Sequence, residues 1–340
     1  MENLSNHTTF RVGGPANNFV RASNESEIIA AIEAAGDQPI LILGSGSNVL
    51  VSDTGFPGTV IQISSSSGNK MTAEVDACSG ATLNIGAGEN WDDFVKTTID
   101  RGWAGLETLS GIPGTVGAAP IQNIGAYGHE VSEFVMRVRT YDRQAKALKT
   151  FTNQECEFSY RDSVFKKNPG RYVVIEVQFN LRRGEMTSPI TYAELAAELG
   201  IAVGEKADVI KTREAVLKIR GRKGMLLDST DKDTFSAGSF FTNPIVPENL
   251  IPEGAPKYPQ ADGTFKTSAA WLIEQSGICK GQSLNGAAIS GKHVLAITNA
   301  GNAKASDIAA LAMQVKDAVK LKFGIELVPE VNLVGLTLGN

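Results

Sequence analysis

Ser110-Gly111-Ile112-Pro113-Gly114-Thr115-Val116-Gly117-Ala118-Ala119-Pro120-Ile121-Gln122-Asn123-Ile124-Gly125-Ala126-Tyr127-Gly128 decides how this chain is read. The run carries no charged side chain and is crowded with Gly, Ala and Pro. Backbone approaches a large ligand closely only where Cβ atoms are scarce, and glycine also allows positive φ without strain. Successive N–H groups in such a segment form concavities suited to a pyrophosphate. Ordinary surface loops also use Gly and Pro. Loops this long are uncommon unless functional or disordered, however, and this one lacks the charge that keeps a chain disordered. It reads as a ligand cradle.

The rest of the chain bounds what that ligand serves. Its 340 residues are 42% hydrophobic and 20% charged, which predicts a soluble globular protein of about two domains. A net charge of −5 argues against nucleic acid as a partner. No apolar run reaches the ~18 residues of a membrane helix, and Met1–His7 has neither part of a secretory signal. A cytoplasmic location follows as the expectation. Cys78, Cys156 and Cys279 are odd in number and widely spaced, so they read as buried structural thiols. His7, His129 and His293 show no metal-ligand spacing, so the chemistry is expected to rest on a bound cofactor and no metal.

Helix and strand signals alternate before the cradle. Asn24-Glu25-Ser26-Glu27 resembles a capping box, with Ile28, Ile29, Ile32 and Ala35 at helical spacing and Gly36 as the stop. Strands are expected at Pro39–Leu43, Thr59–Ile63, Glu74–Cys78 and Thr82–Gly86, and a helix from Trp91 after the N-cap Asn90. Ser64–Ser67 reads as a solvated loop. Beyond the cradle, Val135–Tyr141, Leu148–Phe151 and the alternating Tyr172–Leu181 read as strands. Character changes at Arg182-Arg183-Gly184-Glu185, which places a domain boundary near residue 184. Helices follow near 193–199, 206–219, 268–275 and 307–323.

Several motifs carry chemistry, each with a plainer alternative. Gly44-Ser45-Gly46-Ser47-Asn48 lacks the third glycine of a dinucleotide fingerprint and runs into Val49-Leu50-Val51 rather than a helix. It is either a phosphate-binding turn between strands or a tight turn alone. Arg161, in Tyr160-Arg161-Asp162-Ser163, is a surface ion-pair partner or a forked grip on a carboxylate. Lys218-Ile219-Arg220-Gly221-Arg222-Lys223 offers four positive charges that cap a helix, grip a phosphate, or do both. Ser239, beside Gly238, Phe240 and Phe241, lacks a nearby histidine and the hydrolase elbow pattern, so it does not read as a hydrolase nucleophile, while a hydroxyl in a snug apolar pocket could instead deliver a proton. Glu330, between Pro329 and Val331, is an edge-strand surface residue or a buried acid with a raised pKa.

In this order the motifs resemble the UDP-N-acetylenolpyruvoylglucosamine reductases, also called UDP-N-acetylmuramate dehydrogenases, of bacterial peptidoglycan synthesis. The matching residues are Leu43–Asn48, 110–128, Tyr160–Ser163, Gly238–Pro244, Tyr258-Pro259-Gln260-Ala261-Asp262-Gly263, Ala270–Glu274 and Pro329-Glu330-Val331. The resemblance implies an α+β fold, with an FAD-binding part of the vanillyl-alcohol-oxidase type over 1–184 and a substrate-binding domain over 185–325. Strand 326–340 is expected to return to the first part. It implies noncovalent FAD held by Gly44, Ser45, Gly46, Ser47 and Asn48, and by Ile112, Pro113, Gly114, Thr115, Gly117, Ala118, Asn123, Gly125, Ala126 and Tyr127. Covalent attachment in related folds uses histidine, and only His129 adjoins the cradle.

The same resemblance implies NADPH as co-substrate, hydride delivery from the reduced flavin to the vinyl carbon of the enolpyruvyl sugar nucleotide, and no obligate protein partner. Ser239 matches the proton donor, and Arg161 with Glu330 the pair that polarises the substrate carboxylate. Tyr160, Tyr192, Lys223, Asn243 and Tyr258 match substrate contacts, with Tyr192 on the closing loop of the longer family type. Gly221 and Lys223-Gly224-Met225 depart from the family's usual basic pattern, which leaves the register of Lys223 open. Two other readings stand beside this one: another flavin oxidoreductase of the same fold, and a noncatalytic nucleotide-binding module.

Overall fold

A computed structural model describes residues 1–65, 71–76 and 80–339. The chain forms two compact units, one of 17–45 with 57–226 and one of 1–16 with 46–56 and 227–340. Both mix helices and strands, so the α+β class stands.

In the unit 17–45 and 57–226, helix Glu25–Ala35 begins where Asn24 accepts the Glu27 N–H and ends at Gly36 with φ 55°. Strand Ile40–Leu43 pairs in parallel with Phe56–Ile63. A larger antiparallel sheet has the order Ala147–Thr152, Val135–Asp142, Tyr172–Arg183, Gly80–Gly86, Met71–Asp76. Its central strand buries Val173, Val177, Phe179 and Leu181 on the face that the alternation predicts. Phe179 meets Trp91 and Phe94 of helix Trp91–Asp100 at ring-centroid distances of 6.1 and 5.0 Å. Burying one such ring is worth about 2–3 kcal/mol. That contact fixes the helix over the sheet, and the helix start carries the cradle.

No boundary falls at 184. Residues 185–226 stay with this unit, because the change in character there marks only a turn in which the Gly184 N–H meets the Gly102 carbonyl. Helices Ala193–Leu199 and Val209–Arg222 pack on each other through Leu195, Ala196, Val216 and Ile219. The second starts at 209 rather than 206 because the Asp208 side chain accepts the N–H groups of Ile210 and Lys211.

In the unit 1–16, 46–56 and 227–340, helix Ala305–Phe323 buries Ile308, Leu311, Val315 and Val319 as its stripe predicts and ends at Gly324 with φ 69°. It lies on the antiparallel sheet Ser283–Leu284, Ala287–Ile289, Ile297–Asn299. Strand Val49–Val51 pairs in parallel with Asn332–Val334, and Leu50 is buried in this unit's core. The C-terminal strand therefore meets residues from the early chain, but both belong to this unit. Region 1–184 is accordingly not one body.

Cys156 is buried, and burial, with Glu155 nearby, pushes its thiol up to about 12. Cys279 is exposed, contrary to expectation, because it sits in the turn after helix Ala269–Gln275. Cys78 lies outside the described residues, as do Ser66 and Ser67. Among the described residues no helix is long and apolar enough to cross a membrane, and no cluster of His, Cys, Asp and Glu could hold a metal ion.

Asp53 closes the long helix from outside it, accepting the N–H groups of Ala305 at 2.7 Å and Ser306 at 3.0 Å. Partial burial opposes its ionisation, but these bonds and the Ser306 hydroxyl outweigh that and hold its carboxyl below the usual range. Replacing a cap of this kind costs about 1 kcal/mol. Asp53→Ala is expected to lower the free energy of unfolding, measured by urea titration at pH 7, by that amount. Because the folded pKa is depressed, the contribution is full above about pH 4 and fades as pH falls through the lowered value. The gap between parent and variant should therefore close in acid.

Candidate active site

The small-residue segment has little bulk with which to form a core, so its neighbours hold it. Backbone bonds zip it to the turn before helix Trp91–Asp100. The Gly117 N–H meets the Ala87 carbonyl, the Val116 N–H meets Glu89, and the Trp91 N–H meets Gly114, all at 2.9–3.1 Å. Val116–Ala118 is a single 3-10 turn, and Gly125–Ala126 pairs with His129–Glu130. At Gly117 a Cβ would fall 2.4 Å from that of Ala87, and at Gly44 a Cβ would fall 2.7 Å from the Thr115 hydroxyl. The Gly44 end of the first loop thus lies against the second segment.

Asn123 and Arg161 fasten the far half. Asn123 is fully buried with φ 46°, donates to Glu130 at 2.6 Å and to the Ser159 carbonyl at 3.0 Å, and accepts the Ser132 N–H. Its side chain shapes the segment from beneath. Arg161, also at positive φ (54°), donates to the Gly125 carbonyl at 2.7 Å and to the Asn123 carbonyl at 3.4 Å. The guanidinium expected from sequence to be functional is therefore seated on the cradle itself, with Tyr160 beside it at 5.2 Å. Ser163 adds a bond to the Ile121 carbonyl at 2.6 Å. His129 pairs through Nδ1 with Glu133 at 2.8 Å.

Helix Val209–Arg222 supports the near half, a role the sequence reading missed. Arg213 grips Asp92 with both arms at 2.6 and 2.7 Å, and Asp92 also accepts the Gly111 N–H at 2.6 Å. Burial opposes ionisation of Asp92, but the Arg213 fork and the Gly111 bond win, so its carboxyl is held low. The basic run is divided among several jobs. Lys218 and Arg222 both pair with Glu198, Lys223 pairs with Glu194 at 2.5 Å, and Arg220 is buried. Tyr192 is exposed and packs edge-on against Tyr127 at 5.4 Å. Burial pushes the Tyr127 phenol up to about 12.

Ser239 and Glu330 belong to the other unit and come together there. The Glu330 N–H meets the Phe240 carbonyl at 2.8 Å, Phe241 bridges Pro329, and Ser239 bridges Ala296. Gly238, at φ 71°, turns the chain into this strand. The hydroxyl and the acid are thus carried on neighbouring paired segments, both half-buried. Asn48 donates to the Glu330 carbonyl at 3.2 Å and so ties the first loop's end to the acid. Gly46 has a packing reason to be glycine, since a Cβ there would fall 1.9 Å from the His7 carbonyl. Asn243 accepts the Ala269 N–H at the start of helix Ala269–Gln275. Tyr258 lies exposed on strand Lys257–Pro259 of the same unit.

Comparison with known proteins follows the same lines. A family model described as the C-terminal domain of UDP-N-acetylenolpyruvoylglucosamine reductase matches residues 230–334, and one described as an FAD binding domain matches residues 16–150. The UDP-N-acetylenolpyruvoylglucosamine reductase of Cutibacterium acnes is 49% identical, over 97% of this chain and 89% of its own length. That of Thermobifida fusca is 47% identical, over 98% and 97%. A crystal structure of the Thermus caldophilus enzyme shares the fold at a TM-score of 0.67 and 24% identity, covering 98% of this chain and 97% of that one.

The residues fit FAD. The Gly44 end of the first loop abuts a segment with no charge, little bulk and positive φ at Gly111, Gly114, Asn123 and Tyr127, which is what close approach of backbone to a large flat group requires. Within this unit Gly44, Ser45, Ile112, Pro113, Gly114, Thr115, Gly117, Ala118, Asn123, Gly125, Ala126 and Tyr127 would hold it.

The contact between the two loops can be tested directly. Gly44→Ala should destabilise the protein by about 1–3 kcal/mol through overpacking against Thr115. Thr115→Ala in the same chain should recover most of the loss in denaturant titrations. Additive losses would mean that the two loops do not touch at these residues.

Proposed function

The chain belongs to the UDP-N-acetylenolpyruvoylglucosamine reductase family, and from that premise we propose that it reduces UDP-N-acetylglucosamine enolpyruvate to UDP-N-acetylmuramate for peptidoglycan synthesis, with NADPH as hydride source. It is an oxidoreductase that takes FAD, which we take to be held noncovalently. When bound, FAD supplies hydride exchange between NADPH and an electron-poor alkene.

This chain's own residues do the rest. Arg161, seated on the Gly125 carbonyl, offers its guanidinium to the substrate carboxylate, where negative charge builds as hydride reaches the vinyl group. Ser239 delivers the proton that completes the reduction, and Glu330 supports the enol-like stage by hydrogen bonding. Lys223 would meet the diphosphate by exchanging Glu194 for it, and Tyr192 would close over it. Tyr160, Asn243 and Tyr258 complete the proposed contacts. The observation that supports the reading is the pairing of Phe240–Phe241 with Pro329–Glu330, which carries Ser239 and Glu330 on neighbouring backbone segments, because a binding module has no use for a hydroxyl and an acid carried so close in the fold.

Two stopped-flow measurements test the roles. Ser239→Ala should leave flavin bleaching by NADPH nearly intact while slowing its return with the enolpyruvyl substrate by about 100-fold or more. Equal rates for parent and variant would remove Ser239 from the chemistry. Arg161→Lys should raise KM and lower kcat for that second half-reaction by at least about 10-fold together, because a point charge does not replace a planar fork. Unchanged values would leave Arg161 as a fastener alone.

A further inference from the structure

Arg220 is the member of the basic run that no carboxylate neutralises by hydrogen bond. It is 8% exposed, and its donors go to the Gly111 carbonyl at 3.1 Å and the Met225 carbonyl at 3.0 Å, with the Tyr127 phenol near enough to interact with its charge. Asp92 is near enough to be felt, but its oxygens are engaged by the Arg213 fork and the Gly111 N–H. The trio Asp92, Arg213 and Arg220 therefore carries one net positive charge, with Arg220 its buried member. Burying a cation without an ionic partner costs several kcal/mol, and replacing buried charges by apolar groups of similar volume is often neutral or stabilising. An arrangement that costs stability calls for some other return.

The bonding pattern indicates what that return is. Gly111 and Tyr127 stand at the two ends of the small-residue segment, 16 positions apart in sequence; one guanidinium is bonded to the first and interacts electrostatically with the second. Gly111 is gripped twice over, by Arg220 at its carbonyl and by Asp92 at its N–H, while Tyr127 is held in a positive-φ conformation (50°) that costs a non-glycine residue energy. A lysine in place of Arg220 would offer a point charge and no planar fork with which to span two acceptors.

We propose that Arg220 is the positioning residue that shapes the FAD cradle, by fastening Gly111 to the end of helix Val209–Arg222 and keeping a buried positive charge close to Tyr127. The inference rests on the assignment of residues 112–127 to FAD.

The test uses flavin-stripped protein, titrated with FAD by quenching of flavin fluorescence, alongside thermal unfolding of the same apo samples. Arg220→Met should bind FAD at least about 10-fold more weakly while its apo form melts at or above the parent temperature. A residue with only a structural role would lower both together, and that result would overturn the proposal, as would unchanged affinity. Should Arg220→Met not fold, Arg220→Lys carries the test, with a similar weakening expected and parental affinity overturning it. Tyr127→Phe should weaken binding about threefold alone and add little in the Arg220→Met background. Full additivity would mean that Arg220 does not act on the Tyr127 end of the cradle, and would overturn that part of the proposal. Failure of the parent to bind FAD would instead refute the cradle assignment itself.

Discussion

A segment made of glycine, alanine and proline lets a ligand come close to its backbone because it has little side-chain bulk, and for the same reason it has little with which to hold itself. Everything around residues 110–128 answers that constraint. Backbone bonds from 87–91 secure the first third, Asn123 and Ser163 pin the middle and far parts to the 159–163 turn, and Asp92 with Arg220 clamps Gly111. Most of these anchors are polar groups taken out of water, where an unmade bond costs about 1–3 kcal/mol. Such a set has few partial solutions, which is why it defines one shape. Arg161 belongs to the same set, so a residue proposed to face the substrate is also part of what shapes the cradle.

The second unit solves a different problem, that of drawing short early segments into a core made mostly of late sequence. Leu50 is buried among side chains from 240–338, strand Val49–Val51 is completed by Asn332–Val334, and Asp53 caps helix Ala305–Phe323. The strand pairing and the cap each join residues more than 250 positions apart. Loop-closure entropy grows only slowly with length, so such connections are tolerable once the helix and sheet supply a surface to meet.

That separation explains what could be read in the sequence and what could not. Helices at 25–35, 91–100 and 269–275 were legible because Asn24, Asn90 and Ser268 sit one position ahead of an apolar period, and caps act locally. The central strand was legible from its alternation, and the cradle from its composition. The allegiance of 1–16 and 46–56 was not, since no local signal says which distant strand will pair with Val49–Val51. Nor was the buttressing by helix Val209–Arg222. A basic run looks alike whether it meets phosphate, carboxylate or carbonyl, and only the neighbouring Glu194 and Glu198 show that Lys218, Arg222 and Lys223 are paired within the protein. Asn243 is ambiguous in the same way, because an amide that caps a helix and one that contacts a sugar have the same sequence.

A physical distinction runs through the site. Asn123 and Asp92 are held through their side chains, whose oxygens and nitrogens are engaged by the protein, and their work is to shape backbone. Ser239 and Glu330 are positioned through their main chains, by the Ala296 bridge and by the bond from the Glu330 N–H to the Phe240 carbonyl, between the fully buried Phe240 and the well-packed Val331. Placement by backbone fixes where a side chain is carried without relying on that side chain's own bonds. A proton donor must also stay put while charge moves past it, and short strands locked into a core meet that need better than a loop does. Arg161, proposed to meet the substrate, is held in the other way, through its own guanidinium on the Gly125 carbonyl, so its placement and the shape of the cradle are fixed by one contact.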